Sequence, residues 1–319
     1  MKAKPKLFLF LLLVLTLLYG SSRVLNVGYR KLYQPTYETL SRIFEDTQSF
    51  NTLLIGNSKV EFGINPFYID RIAQLNTINF GYAATNFPTH LLLLQAYLKK
   101  HPAPKYLLLG IENNMFFTDE DHCNKLPLYD YLNRQEVVDY FESLQLPYKL
   151  PKYIPFSKFV FMDDYSRFGI LSAFRGKGLF QSADIYHYKG FYIGKKNRAP
   201  IPFIPQSTAD TALTLHAKAL ATFEQIVSIC KKQGITLLLL FPPRPHDKGK
   251  PIPISNRAVD QYLVKKQRNN SFLVLRNDSI ASFEPTHFVD ASHLNYEGSV
   301  KYSSLLGTYL FNLQQAKPQ

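Results

Sequence analysis

The chain is poor in cysteine, with only Cys123 and Cys230 in 319 residues. Two thiols allow one disulfide without requiring it. Cys230 lies on a helical stripe with Phe223, Ile226 and Val227, a setting for a small buried hydrophobe. Neither cysteine belongs to a Cys/His set at metal-ligand spacing, so no metal site and no cofactor are expected. Acidic residues are also scarce: 24 Asp and Glu face 37 Lys and Arg, for a formal charge of +13. That balance favours anionic partners such as membrane lipid, acidic glycan or nucleic acid. The chain carries no zinc-finger spacing, no basic region leading into heptads and no aromatic RNA-binding signature, so nucleic acid is not expected among its partners. No internal repeat is present.

What the sequence does have begins at its N-terminus. Lys2, Lys4 and Lys6 precede an apolar run from Leu7 to Tyr19 that only Thr16 interrupts, which is an export signature. The run is shorter than the roughly 20 residues that cross a full hydrocarbon core, and the small Gly20 and Ser22 would suit a cleavage site. Tyr19 is bulky, however, and no A-x-A-like site follows, which favours an uncleaved signal anchor over a cleaved signal peptide. A buried core helix is the remaining reading. Residues 1–22 are thus expected as anchor or signal and 23–49 as a membrane-proximal linker with an amphipathic stretch at Tyr37 to Phe44. The α/β domain is placed at 50–312, outside the cytoplasm at the periplasm or cell surface, or secreted if the signal is cleaved; 313–319 form a tail.

From Phe50 onward short apolar runs alternate with helical periodicity, the pattern of a parallel sheet with crossover helices. Strands are expected at Leu53 to Ile55, Thr77 to Phe80, Tyr106 to Leu109, Ile235 to Phe241 and Phe272 to Leu275. Helices are expected at His90 to Lys100, Thr208 to Lys232, Arg257 to Lys266 and Tyr296 to Phe311, with a loop carrying Asn86 and Pro88 before the first of them. Residues of about 119–206 break this rhythm. They are rich in aromatics and proline, hold the basic series Lys177, Lys189, Lys195, Lys196 and Arg198, and read as an insertion rather than a separate domain.

Chemistry concentrates in two short segments. Gly56-Asn57-Ser58 follows the first strand, where glycine permits a tight turn and the serine falls near the unpaired N–H groups that open the next segment. A serine hydroxyl is a poor nucleophile near neutral pH and needs a base for its proton and N–H donors for the oxyanion. A plain helix cap is the alternative role for Ser58. Of the eight histidines, His293 is the best base, with Asp290 three residues earlier to orient its imidazole, in a loop between Phe288-Val289 and the last amphipathic helix.

Gly56-Asn57-Ser58, Asn79-Phe80-Gly81, a polar residue after the third strand and Asp290-x-x-His293 resemble, in order, the four blocks of the SGNH, or GDSL-like, hydrolase superfamily. The resemblance spans roughly residues 50–312. It implies a flavodoxin-like three-layer α/β/α sandwich, with the aromatic-rich insertion and the N-terminal hydrophobic helix as additions. It also implies Ser58 as nucleophile, His293 as base, Asp290 as orienter, and an oxyanion hole from the Ser58 and Gly81 amides and an Asn side chain. The sequence departs from the family at that Asn. Gly110-Ile111-Glu112-Asn113-Asn114 puts Glu112 at the family's position and Asn113 one step later. Either Asn113 substitutes or the third donor is missing, at a cost of about 100- to 1,000-fold in turnover. Asn57 in place of the more usual Asp can still brace the turn.

Other residues carry paired readings. Arg244 and His246 follow the fourth strand at the edge where α/β folds bind ligands; Arg244 either holds an anionic substrate group or is a solvated loop residue. Lys59 adds positive potential beside Ser58 or is an exposed helix lysine. Tyr186, Tyr188, Phe191 and Tyr192 stack on sugar rings or form a small core. These features lead to the expectation of an exported serine esterase or O-acyltransferase, held to the membrane by its N-terminal helix, acting on acyl, chiefly acetyl, esters of envelope or secreted polysaccharide. The alternatives are a non-catalytic membrane-tethered glycan-binding or assembly protein that keeps the fold, and a lipid esterase, against which stands the lack of an apolar lid helix.

Overall fold

The computed structural model describes residues 3–162, 166–167, 169–170, 174–175, 185–194, 214–245, 257–277 and 282–316. Lys177, Lys195, Lys196, Arg198 and His246, and the side chain of Tyr186, lie outside the described residues. The chain divides into two compact units: Met1–Leu40 with Asn124–Ala183, and Ser41–Cys123 with Asp184–Gln319.

The first unit is helical. α1 (Ala3–Leu32) is a single helix, and α2 (Gln34–Phe44) begins just after it. The stretch Lys4–Leu32 is long and apolar enough to cross a membrane or to act as a signal, and its most apolar window is entirely unburied. Toward its C-terminal end α1 gains partners. Tyr29 is buried in a cluster with Tyr37, Leu126 and Ile170, bordered by Leu25, Phe159 and Met162. Gly28 is close enough to Ile170 and Phe174 that a Cβ would sit 2.6 and 2.5 Å from their side chains. Among the described residues, the rest of the unit includes short pieces: 3-10 turns at Leu126–Tyr131 and Pro155–Phe161, α6 (Gln135–Ser143) and α7 (Lys149–Tyr153).

The second unit is α/β. Five strands, β1 (Thr52–Gly56), β2 (Thr77–Gly81), β3 (Tyr106–Gly110), β6 (Thr236–Phe241) and β7 (Phe272–Arg276), form an all-parallel sheet in the order β2-β1-β3-β6-β7. Each lies within a residue or two of its expected position, because a strand buried on both faces is written as an unbroken apolar run. On one face Leu54, Leu108, Leu238 and Leu240 join α4 (Pro66–Ala73) and α10 (Tyr296–Gln315) in one core through Ile69, Tyr302, Leu306 and Leu310. The alternate residues Leu53, Ile55, Leu107, Leu109 and Leu239 are equally buried. α5 (Phe87–Lys100) and α8 (Ala217–Gln233) pack together, joined by a 5.4 Å contact between the rings of Phe87 and Phe223. α9 (Arg257–Gln267) completes the set between β6 and β7.

Two helix starts differ from expectation. α5 begins at Phe87 because Asn86 caps it, its side chain accepting from the Phe87 N–H at 2.8 Å, and Pro88 suits the first turn, so the expected loop is the helix's own start. α8 begins at Ala217, and the described residues just before it, 214–216, are not helical. Within the expected insertion a hairpin, β4 (Ile185–Tyr188) and β5 (Phe191–Gly194), belongs to the sheet-containing unit. Its turn covers the edge of β2: the Asn79 N–H donates to Lys189 O at 2.9 Å. Gly190, at φ +83, fits where a Cβ would lie 1.9 Å from Asn79 O. Phe191 and Tyr192 are buried, and Tyr188 packs edge-on against Phe67, so these three aromatics serve as packing.

The strand order reverses between β1 and β3, where open α/β sheets place their ligands at the carboxyl edge. Both strands end in glycine there, and Val60 on the four-residue helix α3 (Ser58–Glu61) sits over the pair. A Cβ on Gly56 would lie 2.3 Å, and one on Gly110 2.2 Å, from Val60 Cγ2. Gly110→Ala should therefore cost about 1–3 kcal/mol by overpacking. Urea midpoints in detergent check this, and adding Val60→Ala should recover part of the loss if that contact is the cause.

Candidate active site

The turn that carries Ser58 is built by Asn57. As cap of α3 its Oδ1 accepts from the Lys59 N–H at 3.0 Å, and its carbonyl accepts from the Val60 and Glu61 N–H groups at 2.9 and 3.0 Å. Ser58 is thus the first residue of the helix, and the cap role belongs to its neighbour. Among the described residues the Ser58 N–H has no partner.

His293 arrives from the other end of the chain. Phe288 and Leu294 form an antiparallel bridge, the Val289 N–H donates to His293 O at 2.9 Å, and Asn295 caps α10 by accepting from the Gly298 N–H at 2.9 Å. Within this closed loop Asp290 Oδ1 accepts the Ser292 and His293 N–H groups, each at 2.8 Å. Asp290 Oδ2 lies 2.8 Å from His293 Nδ1, and His293 Nε2 lies 2.8 Å from Ser58 Oγ. Burial raises the Asp290 pKa, but the His293 bond and the two backbone donors outweigh it and hold the carboxyl below its usual range. A carboxylate against Nδ1 fixes the proton there, which leaves Nε2 to accept from the serine hydroxyl. Residues 235 positions apart thereby form a serine, imidazole and carboxylate relay.

The oxyanion side is less open. The Gly81 N–H, a donor in the expected hole, is held by Asn79 Oδ1 at 2.8 Å. Asn79 is itself fixed, donating through Nδ2 to Val60 O and Ile64 O at 2.8 Å. The next amide, of Tyr82, donates to Gly56 O at 2.9 Å, and that of Ala83 donates to the Glu61 carboxyl. Asn113 opens a 3-10 turn at Asn113–Phe116, and its Oδ1 accepts from Arg276 Nη1 at 3.4 Å. Its Nδ2 has no partner among the described residues.

Glu112 has a role that its position in the sequence did not reveal. One oxygen forms an ion pair with Lys59 Nζ, and the other accepts from Asn57 Nδ2 at 2.6 Å. Burial raises its pKa; the Lys59 charge and hydrogen bond, the Asn57 amide and the charge of Arg244 outweigh that and hold it below the ordinary carboxylate value. Lys59 is correspondingly buried rather than an exposed helix lysine. The loops after β1 and β3 are clamped together directly behind the serine. Arg244 is half-buried after β6 and makes no ion pair among the described residues.

Glu61 was missed because an acid in a polar turn gives no signal of burial. Its Oε2 has no partner, and burial pushes its carboxyl up to about 8, with the Ala83 N–H acting in the opposite direction. Cys123 and Cys230 are both buried and are not joined in a disulfide, and burial pushes the Cys230 thiol up to about 12.

Two outcomes follow. Glu112→Ala should destabilise by about 3–5 kcal/mol because it removes the carboxylate ion-paired with the buried Lys59, whereas Glu112→Leu with Lys59→Met should recover most of the loss; chemical unfolding compares the two. For Glu61 the folded pKa lies above the unfolded one, so the folded state binds more protons between them and stability falls as pH rises from about 4.5 to about 8. The slope approaches ~1.4 kcal/mol per pH unit and should be absent in Glu61→Gln. No family model matches the chain, and no curated protein matches it.

Proposed function

We propose that the chain is a membrane-anchored serine esterase or O-acyltransferase of SGNH type. The observation that carries the reading is the relay in which Ser58 Oγ, His293 and Asp290 are joined by two 2.8 Å contacts. Ser58 attacks the acyl carbonyl as His293 takes its proton, and Asp290 stabilises the imidazolium. The tetrahedral adduct collapses to the acyl-enzyme as the ester's alcohol leaves with the proton held by His293; His293 then takes a proton from the attacking water or sugar hydroxyl and returns it to Ser58 Oγ as the acyl group departs. Donors for the oxyanion are the Ser58 N–H and Asn113 Nδ2, with Gly81 joining if Asn79 yields its bond.

The parallel order β2-β1-β3-β6-β7 supports a flavodoxin-like three-layer sandwich, with residues of about 119–206 as its aromatic-rich insertion. Lys2, Lys4 and Lys6, ahead of the apolar run that begins at Leu7, support an orientation with the α/β unit outside the cytoplasm. The net charge of +13 favours an anionic acylated glycan as substrate, with Arg244 at the carboxyl edge as its counter-charge.

A second reading, a non-catalytic glycan-binding or assembly protein, is favoured by the engaged amides of Gly81, Tyr82 and Ala83. A fluorophosphonate probe separates the two. The enzyme reading expects labelling of the full-length protein that disappears in Ser58→Ala, and no labelling of a folded wild type sinks it. Hydrolysis of aryl acetates should fall by several powers of ten, up to about a million-fold, in His293→Ala, with an unchanged circular dichroism spectrum.

A further inference from the structure

The first unit carries an apolar surface that the catalytic proposal does not use. Within α7 and the 3-10 turn after it, Leu150, Tyr153, Ile154, Val160 and Phe161 are 57, 80, 38, 73 and 43% exposed. Lys149 and Lys152 are exposed among them. Soluble surfaces rarely gather so many large apolar side chains in so short a stretch, and such a patch marks an interaction site.

This patch is joined to α1 by groups buried in the same unit. Lys158, in the middle of the segment, is buried, donates to Asn26 Oδ1 at 3.0 Å and forms an ion pair with Asp130. Asp130 also pairs with Arg30 at 3.2 Å. Phe159 and Met162 border the cluster around Tyr29. The segment is therefore fixed to α1 at the level of Asn26 to Arg30.

That level has a meaning if α1 spans a bilayer. A hydrocarbon core of about 30 Å takes about 20 helical residues at about 1.5 Å each. Counted from Leu7, where the lysines end and the fully exposed apolar surface begins, the far boundary falls near Asn26. The exposed leucine, valine and aromatic side chains are thus held at the depth where aromatic rings and lysines anchor proteins to a membrane interface.

We propose that Leu150 to Phe161 is a second membrane contact, inserted into the lipid interface of the leaflet distal to the N-terminus, with Lys149 and Lys152 on lipid phosphate. It rests on the reading of α1 as a retained anchor and not on the catalytic one. α1 gives the first attachment, and the patch gives a second that fixes the rotation of this unit about the α1 axis. A single apolar helix leaves that rotation free.

The chain contains no tryptophan, so single substitutions report cleanly. Full-length Tyr153→Trp, Val160→Trp and Leu13→Trp proteins, each checked by circular dichroism, would be reconstituted into phosphatidylglycerol and phosphatidylethanolamine vesicles, with and without lipid brominated near the headgroup end of its acyl chains. Blue-shifted emission at positions 153 and 160 that brominated lipid quenches and iodide does not reach is the expected result. Full iodide access at both positions, with Leu13→Trp still quenched by lipid, would overturn the second contact while leaving the anchor standing. Loss of quenching at Leu13→Trp overturns both. A blue shift without lipid quenching assigns the patch to a protein partner or a second copy and likewise overturns the proposal.

Discussion

The site depends on how closely one short helix can approach the ends of three strands. Four residues are too few to hold a helix by their own hydrogen bonds, so α3 exists because its surroundings fix it. Its fit is steric first. Gly56, Gly81 and Gly110 end β1, β2 and β3, and a Cβ on any of them would come within 2.2 to 2.3 Å of Val60 or the Glu61 backbone. With hydrogen in those places Val60 seats over β1 and β3, and the turn at Asn57 aims Ser58 off the sheet edge. The polar bonds come second. Asn57 caps the helix, Asn79 holds the carbonyls of Val60 and Ile64, and Glu112 reaches across from β3 to Lys59 and Asn57.

The same packing sets the limits of the chemistry. The turn holds Ser58 Oγ at 2.8 Å from His293 Nε2 without further movement, so on the esterase proposal the entropic cost of bringing nucleophile and base together is already met. The bonds that fix it also occupy donors. Asn79 orders the end of β2 by accepting the Gly81 N–H, and Glu61 orders the following loop by accepting the Ala83 N–H. The Ser58–His293–Asp290 contacts are complete in this arrangement, whereas the amides after β2 are already engaged. Ligand binding at the β2 edge would have to exchange one of these internal acceptors for a substrate oxygen.

How much of this could be read in the sequence follows from which forces leave a local trace. Leu53 to Ile55 and Tyr106 to Leu109 were legible because double-sided burial writes an unbroken apolar run. Gly56-Asn57-Ser58 and Asp290-x-x-His293 were legible because turn chemistry and side-chain roles are local. α6, α7 and the 3-10 turns of the first unit were not, since helices of this length owe their form to tertiary contacts. Asn86 and Pro88 looked like a loop because cap residues are turn residues, and only the N–H of Phe87 on the Asn86 side chain distinguishes the two. The partnership of Lys59 with Glu112 spans 53 positions and has no sequence signal at all.

That partnership changes the electrostatic argument about the oxyanion. A bare carboxylate after β3 would oppose a developing negative charge beside Ser58. Glu112 is not bare: Lys59 neutralises it at contact distance, Asn57 binds its second oxygen, and Arg244 adds positive potential. Seen from the serine, the pair is close to a dipole, whose field falls off faster with distance than that of a charge. The place of Glu112 after β3 therefore bears on geometry more than on charge. The Oδ1 of Asn113, the next residue, is tied to Arg276, which leaves the amide nitrogen as the free end of that side chain.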